Sequence, residues 1–397
     1  MSKINVRSFS NENEDGAPDL VGISTFSATS FFVPTRGTTA QRPTDHVEVG
    51  SLRYNYDIKN LEYFRGKTMG WSQFELVTPN LGGGTGSNTG LGTRGVKGGG
   101  ANPGTNVIEF ITISTLGNSQ DFGDLTVSAK AQSGAASRTR GLFAAGDSPN
   151  TNRIDFITIA SAGIDAADFG DIASSSQRHA NGMANQTRAL FAGGYGGSPV
   201  PGHTNTIDMV TIAVKSDTKD FGDLSYSMTN AGSCASSTRG VVAGGQNPGY
   251  VNTIDHITIA SLGSAVDSGG DLTVARRTLG AASNSVKGIF FGGQYSPSNN
   301  DNALTNVIDQ LIIASNGDAT DFGDLTFSVN NGRINAMSGL PSATRVAMPG
   351  GYTFDSGDVN TIEYVEIATT GNSIDFGTLA TRGTAGPSGF SNGHGGL

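Results

Sequence analysis

Three short phrases recur six times, in the same order, along most of this 397-residue chain, and that recurrence limits the fold more than anything else in it. One phrase is "N-x-I-[DE]", beginning at Asn106, Asn152, Asn205, Asn252, Asn306 and Asn360. The second follows it as Asp121-Phe122-Gly123-Asp124-Leu125, with counterparts at 168–172, 220–224, 321–325 and 375–379. Its fourth copy is reduced to Ser268-Gly269-Gly270-Asp271-Leu272. The third precedes "N-x-I" and runs from a basic residue to a glycine pair, as in Arg188-Ala189-Leu190-Phe191-Ala192-Gly193-Gly194 and Lys287 through Gly293. In the second unit the pair is Ala145-Gly146.

Each phrase reads as a strand. Ile154-Asp155-Phe156-Ile157-Thr158-Ile159 is rich in β-branched and aromatic residues and bounded by turn formers. Its apolar residues fall on both parities: Ile154 and Phe156 face one way, Ile157 and Ile159 the other. Such a strand needs cover on both sides of its sheet, and the blades of a propeller supply it. A fourth segment, such as Thr278-Leu279-Gly280-Ala281-Ala282-Ser283, is small enough for a crowded innermost strand. The predicted order in each unit is small-residue strand, glycine-pair strand, "N-x-I-D" strand and "D-F-G-D-L" strand. The first unit lacks a good small-residue strand before Thr93-Arg94-Gly95, while Arg382 through Ser388 matches one. The C-terminus is therefore expected to complete the first unit and hide two sheet edges. Glycine, at 58 residues, fits many short strands with tight turns.

The glycine pair closing the second strand of a four-stranded unit resembles the kelch repeat, over about three quarters of the chain. The tyrosine and tryptophan usual in later kelch strands are missing, and Phe122, Phe169, Phe221, Phe322 and Phe376 are expected to fill that volume. The predicted fold is all-β: a six-bladed kelch-like β-propeller over 92–397, preceded by a small N-terminal β-meander over 1–80 and a glycine-rich linker over 81–91.

The N-terminal part has its own signals. Residues 17–43 read as extended loop around Pro18, Pro34 and Pro43. Strands are expected at Gly50–Tyr56, Leu61–Phe64 and Trp71–Leu76, with a turn at Lys59-Asn60. So few residues bury little apolar surface alone, and oligomerisation would remedy that. The stretches Arg36–Pro43 ("RGTTAQRP"), Gly50–Asn55 ("GSLRYN"), Leu61–Phe64 ("LEYF"), Trp71 and the opening Asn11–Pro18 are similar to a module of tailed-phage virion proteins, especially those of marine phages that infect cyanobacteria. That resemblance implies a virion appendage, a homotrimer formed through the N-terminal region, and other virion proteins as partners.

Chemical motifs are few. The net charge of −9 with no basic run argues against nucleic acid as partner. No stretch of eighteen apolar residues suggests membrane insertion, and the opening Met1–Asn5 lacks an apolar signal core. With one cysteine, Cys234, no intrachain disulfide can form, and folding in the host cytoplasm is expected. Cys234 lies in a small-residue strand and is expected to be buried. His46, His179, His203, His256 and His394 show no metal-ligand spacing. "D-F-G" is also the kinase magnesium motif, but five copies without a phosphate loop or "H-R-D" read as a turn before the last strand. Gly386-Pro387-Ser388-Gly389-Phe390 misses the nucleophile-elbow pattern at its last position. The acid after "N-x-I" (Glu109, Asp155, Asp208, Asp255, Asp309, Glu363) is expected to pair with the repeated basic residue or a backbone turn, with a calcium site as the alternative. No cofactor, metal or catalytic residue is expected, so the chain reads as a non-enzyme.

Variation concentrates between the glycine pair and the asparagine, a loop of five, five, ten, six, twelve and eight residues in successive units. These loops hold Tyr195, Tyr250, Tyr295 and Tyr352, four of nine tyrosines, and are the candidate ligand-binding residues. The expected function is that of a tail-fibre or appendage protein of the virion whose propeller attaches to a host-surface glycan or receptor. A capsid or neck decoration protein, and a carbohydrate-active enzyme, stay open as alternatives.

Overall fold

The computed structural model describes residues 34–44, 47–58, 60–73, 93–100, 104–147, 149, 151–173, 180–196, 202–296, 303–326, 339–353, 357–381 and 388–397. The expected linker at 81–91 and the opening motif at 11–18 lie outside these residues. The architecture is all-β, in several small and mainly antiparallel sheets. No helix among the described residues is long and apolar enough to cross a membrane. The chain divides into two compact units, Met1–Thr78 and Pro79–Leu397.

The N-terminal unit holds a four-stranded sheet. Leu52–Asn55, Asn60–Phe64 and Trp71–Gln73 pair antiparallel in sequence order. Thr35–Gly37 adds to the edge in parallel with Leu52–Asn55, so the sheet is mixed where a plain meander was expected. A 3₁₀ turn follows at Thr39–Gln41, in a stretch expected to be extended loop. Residues 74–76 of the third expected strand lie outside the described residues.

Among the described residues the second unit contains six sheets, each built on four antiparallel strands, and two two-stranded ribbons. In the second sheet these are Ser133–Ala136, Arg140–Gly146, Thr151–Thr158 and Ala167–Asp171, in that order. The other sheets follow the same order. The first is completed from the far end of the chain: Ser388–Ser391 pairs with Arg94–Gly98. That strand starts where the expected segment ends, and 382–387 are outside the described residues.

Apolar residues on both parities find cover on both sides. Ile154 packs against the third sheet, in a cluster with Phe191, Val210 and Ile212 that Phe156 joins from its edge. Ile157 and Ile159 pack the other way, with Val96, Ile108, Phe122 and Phe390 of the first sheet. Equivalent clusters join the third sheet to the fourth, the fourth to the fifth and the fifth to the sixth. A further cluster joins Ile362, Tyr364 and Phe376 of the sixth sheet to Ile111 and Ile113 of the first. The repeated phenylalanines sit inside these clusters, several edge-on to a second ring, as in Phe110–Phe122 and Tyr364–Phe376.

Polar contacts repeat in step. The basic residue that opens the second strand donates across to the carbonyl just past the third strand of the next sheet: Arg94 to Ile159, Arg140 to Ile212, Arg188 to Ile259, Arg239 to Ile313 and Lys287 to Ile367, at 2.7–3.3 Å. Arg345 of the sixth sheet donates to Ile113 of the first at 3.4 Å. The "D-F-G-D" phrase lies within the fourth strand, not in a turn before it. Its glycine occupies a bulge, since Ile308 faces Gly323 while Asp309 faces Asp321. Gly323 has φ +147°, and a Cβ there would run into the Gly371 carbonyl of the next sheet.

Candidate functional site

The glycine pairs set the direction of the candidate loops. Gly193 and Gly194 have φ of +65° and +107°, which turns the chain sharply at the strand end. The loops that follow are partly ordered as ribbons. Tyr195-Gly196 pairs with Gly202-His203, Gln294-Tyr295 with Ala303-Leu304, and Tyr352-Thr353 with Gly357-Asp358. Their tips at 197–201, 297–302 and 354–356 lie outside the described residues.

All four candidate tyrosines are half-buried. Tyr195 stands edge-on to His203, with ring centres 5.6 Å apart. Tyr250 lies beneath the Arg277 guanidinium, 5.0 Å from its ring centre. Tyr295 and Tyr352 stand in their ribbons opposite Ala303 and Asp358. These contacts hold each ring locally, within its own unit or against the next. They do not gather the four into one cleft. What they offer is a set of braced aromatic and amide groups spread over four units, suited to stacking and polar recognition.

Sequence reasoning missed the polar group that braces the fourth and fifth units. Arg277 donates from Nε to Gln294 Oε1 at 2.9 Å and from Nη1 to Gln246 Oε1. The available signal was the adjacent pair Arg276-Arg277. Its other member is fully buried and holds Asp309 at 2.9 Å and the carbonyl of Val307 at 3.0 Å.

The repeated acids are buried, and their main partners are not the repeated basic residues. Five of the six receive the end of the preceding sheet's fourth strand. Thr126 donates its N–H and hydroxyl to Asp155, at 2.9 and 2.7 Å. Ser225 does so to Asp255, Thr273 to Asp309, Thr326 to Glu363 and Thr381 to Glu109. At Asp208 the position matching Thr126 is Ala173, whose N–H goes instead to Thr218 Oγ1 at 2.7 Å. Burial holds the Asp255 carboxyl above its usual range, against the bonds from Ser225. Lys97 adds a cation 3.6 Å from Glu109, and burial pulls the Lys97 ammonium below its usual range against that charge. No group of three or more His, Cys, Asp or Glu among the described residues is placed to hold a metal.

The small-residue strands line a cavity of about 110 Å³, with Ser133, Asn181, Ser233 and Ser283 on its wall. Small-molecule sites usually span about 300–1,000 Å³, so this one is small for a ligand. The C-terminal segment reaches it. His394 Nε2 donates to the Ala136 carbonyl at 2.6 Å, and its Nδ1 accepts from Gly396 N at 3.1 Å. Gly395 N donates to the Ser283 carbonyl at 2.9 Å. Cys234 also lines the cavity, and burial pushes its thiol up to about 12, which leaves it unreactive. Ser388 is buried in the closing strand and presents no nucleophile. His256 is a packed strand residue whose pKa burial lowers. His46 and His179 lie outside the described residues.

In the N-terminal unit Arg42, Arg53 and Asn55 converge on Glu62, and Trp71 on Phe64. Glu62 is fully buried and accepts from Arg42 at 2.6 Å and from Asn55 at 3.2 Å, with Arg53 3.4 Å away. Trp71 packs on Phe64 and donates to the Pro43 carbonyl. No protein-family model matches the chain, and no curated protein matches it.

Proposed function

We propose that this chain is a structural protein of a tailed-phage virion, in which 92–397 form a six-bladed kelch-like propeller that presents its glycine-pair loops to a host-surface glycan. The propeller reading is supported by the repetition of one junction six times, apolar cluster and polar links together, the last joining the sixth sheet to the first. The N-terminal unit anchors the protein to other virion proteins and associates as a homotrimer. This part of the proposal rests on the likeness of Arg36–Pro43, Gly50–Asn55 and Trp71 to phage virion modules.

One observation carries the attachment role. Rigid sheets hold Tyr195, Tyr250, Tyr295 and Tyr352 on the segments where the repeat varies most, and three of them lie in two-stranded ribbons. Loops on a fixed scaffold are where binding concentrates. The test is adsorption of the purified protein to host cells, and its competition with phage. Shortening the loop between Tyr295 and Ala303 should abolish binding while leaving the melting curve in place. Replacing Tyr250 by Ala should weaken it about 3- to 10-fold, the worth of one aromatic contact. Binding to assembled capsids with adsorption unchanged would sink the attachment role in favour of decoration. Turnover of a host polysaccharide would replace both with an enzyme.

A further inference from the structure

Charge in the repeat unit is sorted by position. Six stretches lead from the end of the "D-F-G-D-L" phrase to the next small-residue strand, over 126–132, 173–180, 225–231, 273–279, 326–339 and 380–387. They hold six lysines or arginines and no aspartate or glutamate, although acids outnumber bases 34 to 25 in the whole chain. Where these stretches are described they reach the glycine-pair end of the sheets, beside the candidate loops. Lys130 pairs with Asp147, Thr229 with Gln246 and Arg277 with Gln294. Arg178, Arg333 and Arg382 lie outside the described residues.

Arg277 differs from the arginine beside it. Arg276 is fully buried, and its charge meets Asp309. Arg277 is half-buried, and no described carboxylate stands within ion-pair distance of it. Its two printed partners are the neutral amide oxygens of Gln294 and Gln246, and its guanidinium lies over Tyr250. Nη2 makes no bond to a described residue. Amide oxygens orient a guanidinium without cancelling its charge. The backbone is fixed as well. Arg277 and Gln294 exchange N–H to carbonyl bonds at 2.9 and 2.8 Å, and Thr278 N donates to the Asn230 carbonyl at 2.7 Å. Thr278 has φ +53°, a left-handed conformation that a β-branched residue rarely takes. Ala131 and Asn230 take it at the same place in the second and fourth units, so the turn belongs to the scaffold. The arginine does not: Lys130 and Thr229 stand at its position there.

From this we propose that the glycan taken by these loops is anionic, and that Arg277 binds its charged substituent, a carboxylate or a sulfate. The proposal rests on the attachment reading above and names its substrate class. A guanidinium presents a planar fork that two oxygens of such a group can meet together. This one is already positioned, so binding costs little side-chain entropy. A neutral sugar would cover the cation and bring it no counter-charge. The chain's net charge of −9 repels a polyanion at a distance, but at physiological salt such repulsion fades beyond about 8 Å. Contact is therefore decided by the charges nearest to it. The stretch 273–279 and the adjoining loop 246–251 contain no acid. Tyr250 is then a positioning residue, the floor beneath Arg277.

The experiment titrates the full chain with polygalacturonate, dextran sulfate and uncharged dextran, beside its adsorption to host cells. The first two polymers separate a carboxylate from a sulfate. At least one should bind, compete with adsorption and lose affinity as salt is raised, while dextran should not bind. Arg277→Gln should weaken binding at least about tenfold, the worth of one charge-assisted contact, with the melting curve unchanged. Arg277→Lys keeps the charge without the fork and should fall between. Asp301 is the one acid of the two adjoining loops, and Asp301→Asn should bind at or above wild type. A loss matching that of Arg277→Gln would make Asp301 the partner of the guanidinium and overturn the proposal. So would adsorption that neither anionic polymer competes with, or polymer binding that strengthens with salt, and both are read on the wild type alone. Adsorption that survives Arg277→Gln overturns this proposal and leaves the attachment reading standing. Polymer binding through Arg277 without adsorption leaves the anionic site and sinks the attachment reading. Neither adsorption nor polymer binding sinks both.

Discussion

The two units of this protein bury charge for different reasons. In the N-terminal unit a carboxylate with two arginines forms the interior, and leucines look outward. In the second unit apolar side chains fill every space between successive sheets, and a buried carboxylate sits where the neighbouring strand ends and its N–H needs an acceptor. The difference follows from cover. A sheet with a neighbour on each side can be apolar on both faces. A sheet covered on one side only, by a polar segment of its own chain, turns its polar face inward and leaves its apolar face for something else.

The largest test removes cover from the repeat unit. Phe390 comes from the closing strand, is 4% exposed, and packs with its ring centre 4.8 Å from that of Phe143. Phe390→Ala should cost about 3–5 kcal/mol, the usual range for deleting a core phenylalanine. Thermal melting of the repeat unit measures it. A loss below about 1 kcal/mol would mean that the first sheet does not need its last strand, and that cover on both sides is not what holds this unit.

Much of this was legible in advance because six copies average out the accidents of any one. Strand order, the two-sided parity of Ile154 and Ile157, and the use of the C-terminus to complete the first sheet all follow from pattern. The purpose of "D-F-G" did not, because the atom that forbids a side chain at Gly323 belongs to Gly371 in the next sheet. The basic residue and the acid were expected to meet each other, or the acid to meet a backbone turn. Each instead reaches a different neighbour, a choice that spacing within one unit cannot reveal. In the N-terminal unit the alternation Leu-Arg-Tyr-Asn names two faces but not which one is covered. That depended on Arg42 finding Glu62, twenty residues away. Three of the four tyrosines fell on ordered ribbons and one on a half-buried turn, where loops were expected, and variation carries no information about whether they converge.

Acid should separate the two units. The His394 imidazole is held down to about 4, first by burial and then by the Arg138 charge, against its bond to Ala136. An unfolded histidine takes a proton below about 6.5, while the folded one stays neutral until about 4. Its contribution is therefore intact above about 6.5 and lost as pH falls toward 4, roughly 3 kcal/mol in all. Asp255, with its pKa raised by burial, opposes part of this loss at the acid end. The N-terminal unit behaves otherwise. Burial works against the Glu62 carboxylate, but bonds from Arg42 and Asn55 and the charges of Arg42 and Arg53 hold its pKa below the usual range. Its stability should persist through the same window and fall only below the ordinary carboxylate range. Melts at pH 7, 5.5 and 4.5, followed by Trp71 emission for one unit and far-ultraviolet dichroism for the other, should show the repeat unit weakening first. His394→Gln should flatten that slope. Parallel weakening of both units would remove the distinction.

The smallest effect compares one carboxylate from each unit. Asp255→Asn keeps an oxygen for the Ser225 hydroxyl, 2.6 Å away, and turns an amide toward the Ser225 N–H. One bond is lost, but the neutral side chain also escapes the burial that raises the Asp255 pKa, so the cost should be about 1 kcal/mol. Glu62→Gln has no such relief. It leaves Arg53, 4% exposed, and Arg42 facing a neutral group in an interior that was built around their charge. Its cost should be the larger, about 2–3 kcal/mol, since removing one partner strands the other. Denaturant titration of each variant gives both numbers. If Asp255→Asn proved as costly as Glu62→Gln, the acids between sheets would be acting as charges and not as strand-end acceptors.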